Sequence, residues 1–458
     1  MGRRPHVLFV ICDQMQNQLL GVADSASWTP SLDRLAAEGI RFSHMYCSNA
    51  QCVPSRVSLQ TGRSPHEAGV MIIYGFHGHT AHLTGEQRTV GQEFRASGYT
   101  TAYFGKTHFG APLATLGYDY SGEERVPGHN SAKDRAYTDQ ALAFLRGYDP
   151  EHPLFLTVSF HSPHPPFELV ADFADRYPPQ RLQLPESYYL DDLDGKPPFQ
   201  RKHALDGRHG AIGEEALRDE LRRYHSMISH VDRLFGELRS ALDAKGMWQD
   251  TVVLFTSDHG DLMGAHRMRL KGTLPYEELF RVPCLLRLPD GQHAGRVLQD
   301  LVVNTAIPGT LLEAAGLPVP VDFRGGSLVS LLDRPASLAS PSHEEIFFEH
   351  YGAYWGLHPF RAIRSRDRGP DGQREWKYVR YYGPDDTEEM YDLVADPSEL
   401  VNLAGETRAE VAAARADLSA RVERWWVETG GRDFATYESE GFKKRGAATL
   451  CDGPPTAD

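Results

Sequence analysis

A chain of 458 residues with 41% hydrophobic content can bury a sizeable core, as one large α/β unit with an appendage or as more than one domain. Its formal net charge of −14 argues against general binding to nucleic acid or to an acidic membrane surface. The five cysteines (Cys12, Cys47, Cys52, Cys284 and Cys451) are odd in number and irregular in spacing, with no zinc-type pairing, which is the pattern of intracellular free thiols.

The first residues, MGRRPHVLFVICDQ, imitate a secretory leader. The apolar run Val7 to Cys12 is too short for one, and no small-residue cleavage site follows. The run reads as a buried first strand that ends in Asp13-Gln14. No stretch is long enough to span a membrane, so the cytoplasm is the expected location.

Next comes QCVPSRVSLQTGRSP, from Gln51 to Pro65. A reactive cysteine is expected in an exposed turn near a cation, and an inert one among apolar neighbours. Cys52 has Gln51, Ser55 and Arg56 around it. Pro54 suits the first turn of a helix, which puts residue 52 at a helix N-terminus, where backbone N–H groups favour an anion. Arg63 and His66 read as structural or supporting residues. The loop FHGHTAH carries His77, His79 and His82, read as a solvated or substrate-side loop rather than a metal site.

Three further apolar runs end in ionisable residues. TTAYFG leads to Lys106-Thr107-His108. LFLTVSF leads to His161 and His164. TVVLFTS leads to Asp258-His259-Gly260-Asp261. Between Pro163 and Pro198 the chain is proline-rich and lacks periodicity, so a long surface excursion beside the site is expected. Leu217, Leu221, Tyr224, Ile228, Val231, Phe235, Leu238 and Leu242 recur at helical spacing, with Gly246 as the stop. Lys271 follows the Asp258 loop. Beyond the Ser337–Ser342 stretch, EIFFEH, FRAIRS, EWKYVRYY and EEMYDL read as strands, and a helix is expected from about Glu406 to Trp426. The expected organisation is a mostly parallel sheet between helices over residues 1–338 and a small antiparallel sheet with one helix over 339–458. The tail KKRGAATLCDGPPTAD is read as either loose or packed on a neighbouring subunit, which leaves a homo-oligomer open.

Ligand sites in open α/β sheets gather at the carboxyl ends of strands. One aspartate after a strand is usually a turn residue, and one histidine is usually packed or solvated. Four such endings together are a different matter. Asp13, Asp258 and His259 supply hard oxygens and one nitrogen for a divalent cation. Lys106, His108, His164, Lys271 and Arg56 supply positive charge and protons. A cation ringed by such groups suits a tetrahedral oxyanion, sulfate or phosphate.

CVPSR followed by LQTGR resembles the signature of the formylglycine-dependent sulfatases of the alkaline phosphatase superfamily. CDQ, GYTTAYFGKTHFG, SPHPPF, SDHGDLMGAH, KGTLPYEELFRVP and EMYDLVADPSELVNL resemble that family's blocks, in its order, from about Val7 to about Leu403. The resemblance implies that a formylglycine-generating enzyme reads Cys52, Pro54 and Arg56 and oxidises Cys52 to an aldehyde. It implies a sulfatase cleaving a small-molecule or saccharide sulfate monoester. One hydroxyl of the hydrated aldehyde attacks sulfur, and the other later expels sulfate. By residue, it implies that Asp13, Asp258, His259 and modified Cys52 hold the metal, with Ca2+ the first expectation and Mg2+ or Mn2+ the others. Arg56 orients residue 52, Lys106 and Lys271 bind sulfate oxygens, and His108 assists the elimination. His164 is the expected acid for the leaving oxygen, with His161 the second choice.

Two departures stand out. Cys12-Asp13 replaces the common Asp-Asp pair, and Asp258-His259 replaces Asp-Asn. Both resemble subgroups that include choline sulfatase-like enzymes and phosphonate monoester hydrolases, so a phosphonate or phosphodiester hydrolase is the alternative. Lys106 and His108 in GKTH favour the sulfatase, because two cationic groups fit three free sulfate oxygens. The first expected outcome is covalent. Made beside the modifying enzyme, the peptide carrying residue 52 should be lighter by the exchange of sulfur and two hydrogens for one oxygen, as read by mass spectrometry.

Overall fold

The computed structural model describes residues 4–23, 26–73, 81–122, 126–207, 210, 212–333, 344–352, 356–369, 372–383 and 386–440. The expected boundary at 338/339 and the Ser337–Ser342 stretch lie outside the described residues, as do His77, His79 and the tail from 441.

The four runs read from the sequence are four neighbouring strands. Thr251–Ser257, His6–Asp13, Leu154–Pro163 and Thr100–Gly105 lie side by side and run parallel. They form the centre of an eight-stranded sheet among the described residues. Tyr120–Ser121 flanks them on one side, and Cys284–Arg287, Ile40–Phe42 and Arg296–Leu298 on the other. The pairings of Cys284–Arg287 with Thr251–Ser257 and with Ile40–Phe42 are antiparallel, which makes the sheet mixed.

Strand alternation builds two core layers. Val7, Phe9 and Ile11 pack on one face with Val53, Val57, Phe94, Phe155, Leu254 and Leu311. Leu8, Val10 and Cys12 pack on the other with Leu32, Tyr137, Ala141, Ile228, Val231 and Phe235. The first layer is covered by the helices Cys52–Thr61, Val90–Ala96 and Ile307–Ala314, and the second by Pro30–Glu38, Asn130–Gly147 and Glu214–Ala244. The sheet is therefore sandwiched between helices, as expected.

The Glu214–Ala244 helix buries every member of the periodic set, Leu217 through Leu242. The stretch from Pro163 to Pro198 departs from the simple surface excursion that was expected. It holds short turns at Ala171–Arg176 and Pro179–Arg181 and a helix at Glu186–Leu190. Phe173, Tyr177, Leu182 and Leu184 are buried in the same layer as the long helix. Periodicity cannot show such anchoring, because the contacts are single side chains rather than a face.

At the C-terminal end, Glu345–His350, Phe360–Gly369, Gly372–Tyr381 and Glu388–Asp392 form an antiparallel meander. Ile363, Trp376, Tyr378 and Met390 pack against Leu418 and Val422 of the helix Ala409–Glu428. The opposite face, through Phe348, Phe360, Val379 and Tyr381, joins the first core layer of the main sheet.

One backbone position ties fold to site. Gly105 ends its strand at φ +113°, and a Cβ there would overlap the carbonyl of Ser159 on the next strand. That carbonyl accepts the amide of Lys106 at 2.8 Å. Gly98 also has positive φ (+82°), yet nothing lies within 4 Å of its missing Cβ. Gly98→Ala should lose about 1 kcal/mol for its backbone conformation. Gly105→Ala should lose clearly more and also reduce activity, because Lys106 must move. Urea unfolding of both variants checks this, and equal losses would remove the close approach as the constraint.

Candidate active site

Each central strand carries its polar residues past the end of the ladder to one edge. Ile11, Ser159 and Gly105 share a level, and Thr256 lies opposite Ile11, so Asp13, Lys106, His161 and Asp258 all emerge together. The helix Cys52–Thr61 points its N-terminus at this edge. Gln51 is its extended cap, and Gly62 closes it in the left-handed conformation with its N–H on Ser58 O at 2.9 Å. The whole helix is buried. Cys52 is thus buried rather than set in the exposed turn expected of a reactive thiol, and its polarity comes from the residues that close over it.

Arg56 is the hub. Its Nε donates to Asp258 Oδ2 at 2.8 Å, and one terminal nitrogen donates to Asp13 Oδ2 at 3.3 Å. The other donates to Ser159 Oγ at 2.8 Å and Lys106 O at 3.2 Å. All three charged side chains are fully buried. Lys106 pairs with Asp13. Lys271 Nζ lies 2.8 Å from Cys52 Sγ and 3.1 Å from His259 Nε2. Cys52 Sγ is 3.3 Å from His259 Nε2 and 3.8 Å from Asp13 Oδ1. His108 and His164 also act on the charge of Cys52 from close by. The residues singled out in the sequence thus surround one point.

The charge pattern decides ionisation. Burial pushes the Cys52 thiol up, but Lys271, Lys106 and His259 outweigh it and hold the group well below its usual range. Burial and the Cys52 charge push Asp13 up, yet Lys106, His164 and Lys271 bring it down below the carboxylate range. Asp258 moves the other way, raised by burial and by the like charge on Asp13. Burial and Lys271 lower His164 to about 4.

Tautomers follow from carbonyl acceptors. His259 Nδ1 donates to Gly260 O at 2.9 Å and His164 Nδ1 to Pro165 O at 2.6 Å. Each Nε2 is therefore the atom presented to residue 52. His161 differs. It stacks on Tyr137, and Asp134 accepts its backbone N–H at 2.6 Å while lying 3.7 Å from its Nδ1. Asp134 also takes the Ser162 amide, so it shapes the strand end rather than the chemistry. Arg63 pairs with Asp322, and His66 bridges Glu349 and Thr429, both structural contacts.

Asp13, Cys52, Asp258 and His259 are buried and offer one ligand atom each, all within 4.8 Å of one another. Two carboxylates, an imidazole nitrogen and residue 52 make a donor set that fits one divalent cation. A formylglycine side chain would place oxygen where Sγ stands, so the modified residue fits as well.

Gln14 was not singled out. Its backbone N–H donates to Asp258 Oδ1 at 3.0 Å, and its amide nitrogen donates to Asp261 Oδ2 at 2.5 Å. Its Oε1 is buried without a hydrogen-bond partner. The signal was its place beside Asp13 in CDQ. Tyr224, on the long helix, supports this turn by donating to Gln14 O at 2.5 Å.

With this geometry in hand, comparison with known proteins is decisive for the family. The sulfatase pattern matches residues 5–317, and the pattern described as N-sulphoglucosamine sulphohydrolase, C-terminal, matches residues 264–426. The chain belongs to the sulfatase family and is a sulfuric ester hydrolase. It is similar to a choline-sulfatase of Rhizobium meliloti, 30% identical over 484 residues, covering 95% of this chain and 90% of that protein. A solved structure of a protein in complex with its substrate D-glucosamine-2-N,6-O-disulfate matches with TM-score 0.78 at 22% identity, over 93% of this chain and 98% of the other. The phosphonate monoester hydrolase of Agrobacterium radiobacter matches with TM-score 0.75 at 22% identity, over 93% and 96%. These two structures share the fold.

Replacing Arg56 by Met should leave two buried carboxylates facing each other and cost about 3–5 kcal/mol. Arg56→Lys, which keeps the charge but cannot fork between both partners, should cost less. Chemical denaturation of the two variants measures the difference.

Proposed function

We propose that this sulfatase hydrolyses a sulfate monoester of a small alcohol or saccharide through a formylglycine made from Cys52 by a formylglycine-generating enzyme, with one divalent cation held by Asp13, Asp258, His259 and residue 52. The carrying observation is Lys271 Nζ at 2.8 Å from Cys52 Sγ, with Lys106 on the Asp13 side of the same cluster. Two ammonium groups flanking the reacting atom suit the three free oxygens of a sulfate ester. The cation, Ca2+ by preference and Mg2+ or Mn2+ otherwise, supplies Lewis acidity there, and the aldehyde supplies the nucleophile once hydrated.

The protein groups do the rest. Arg56 holds Asp13 and Asp258 in their ionised positions and keeps the helix start against the sheet edge. Lys106 and Lys271 bind sulfate oxygens and offset charge as the S–O bond breaks. His164 donates from Nε2 to the leaving oxygen. The negative charge of an arriving sulfate counters Lys271, which favours the protonated form of His164. His108 takes the proton whose removal releases sulfate.

Choline-type and saccharide esters both fit this reading, which draws on the named relatives. None of the described helices is long and apolar enough to cross a membrane. The described cysteines, Cys12, Cys47, Cys52 and Cys284, are free, which supports the cytoplasm as the location.

Cys52→Ala should abolish sulfatase turnover, and a chelator should do the same reversibly. His164→Ala should slow esters of poor leaving groups about 10²–10⁴-fold and activated aryl sulfates far less. Equal losses would remove His164 from the acid role. The ratio of kcat/KM for matched aryl sulfate and phenylphosphonate monoester should favour sulfate, and the reverse ratio would move the enzyme to the phosphonate class.

A further inference from the structure

A second, largely buried cluster lies where the loop carrying Lys271 meets the C-terminal sheet. His266 sits at the tip of that loop with φ +54°. The loop is closed on itself by Leu262 N to Leu270 O and Gly264 N to Met268 O, both 2.9 Å. The ring of His266 is fully buried and stacked on Tyr276, with centroids 3.6 Å apart at 14°.

Its Nδ1 lies 2.6 Å from Asp191 Oδ2. A carboxylate only accepts, so Nδ1 carries the hydrogen and Nε2 carries the lone pair. That lone pair has no hydrogen-bond partner. It faces Glu278 Oε2 at 3.9 Å, an atom that is also buried and unpartnered. Glu399 completes the set, and one ligand atom from each of the three residues lies within 4.8 Å of the others. Glu399 is held by Glu277 N on Oε2 at 2.9 Å and by Lys377 Nζ at 2.6 Å from Oε1. Each carboxylate oxygen keeps a further lone pair.

The surrounding charge does not balance. Asp191, Glu277, Glu278, Glu389 and Glu399 are the carboxylates of this network. Lys196 pairs with Asp191, Lys377 with Glu277 and Glu399, and Arg364 with Glu277. Arg364 also touches Glu375, whose own partner is Arg366. Five carboxylates against three cations leave two negative charges in a buried place, which is the charge of one divalent ion.

We propose that His266, Glu278 and Glu399 bind a second divalent cation, a first-row ion such as Zn2+, separate from the catalytic one. An imidazole nitrogen with two carboxylates is a ligand set for such ions, and the Asp191–His266 pair is the carboxylate–histidine arrangement that orients an imidazole ligand. The ion joins three pieces of chain: the loop tip, the turn before Arg281 and the turn after Asp392. It thereby fixes the loop five residues ahead of Lys271. The competing solution is protonation. Burial pushes Glu399 up to about 8 and Glu278 in the same direction, so two protons could cancel the same charge.

Metal analysis separates the two. The full chain carrying Asp13→Ala and Asp258→Ala, loaded with Zn2+ and desalted, should retain about one equivalent. Adding His266→Ala or Glu278→Gln to that background should remove it. Co2+ in place of Zn2+ should give visible d–d absorption that vanishes with the same substitutions. No retained metal in the Asp13→Ala, Asp258→Ala protein, or unchanged retention after both further substitutions, overturns the site and leaves protons as the counter-charge. Glu278→Gln keeps the shape of the side chain, so the result does not hang on whether His266→Ala folds.

Discussion

Two carboxylates meet at one end of the central sheet with water excluded, and a single guanidinium lies between them. Asp13 and Asp258 end adjacent parallel strands, so the fold itself forces their charges together. Arg56 forks between them from a neighbouring helix. Such a cluster is expensive to bury unless every lone pair and proton is used. Ser159 and the Lys106 carbonyl accept from the other terminal nitrogen of Arg56, and the Gln14 and His259 amides serve Asp258. The sheet edge, the helix start and the loop after Asp258 are therefore locked to one another through one side chain.

Within that lock, residue 52 is buried and yet held toward its ionised form. Helix position supplies partial positive charge, and Lys271, Lys106 and His259 supply the rest. His164 and His259 come from other strands and present their Nε2 atoms to residue 52, because backbone carbonyls accept from their Nδ1 atoms. The working side chains are held by strand ends, a helix and a closed loop.

The C-terminal sheet has two faces with two duties. One packs on its own helix through Trp376, Tyr378 and Met390. The other shares the main core and supplies Lys377, Arg364 and Glu389 to the buried network beneath the Lys271 loop. The position of Lys271 is in this way linked to a region far along the chain. Cells of charge this deep are stable only when balanced, which is why the unmatched carboxylates around His266 carry chemical meaning.

Much of this was legible in one dimension. Apolar runs marked the four central strands, and the ionisable residues just past them cluster in space, because a parallel sheet delivers every strand end to the same edge. The family blocks identified Cys52 and its neighbours directly. Other features had no local signature. Gln14 looked like an ordinary polar residue until Asp258 and Asp261 appeared across the sheet. His164 ranks ahead of His161 in the sequence, but how each is held, by Pro165 O and by Asp134, has no local signature. The buried anchors of the 163–198 segment and the His266 cluster rest on pairs separated by tens to hundreds of residues. Sequence by itself determined which side chains could do chemistry and on which strands they ride. Tertiary structure decided which atoms face one another, because burial and partner geometry, not residue type, set the charge state and direction of each group.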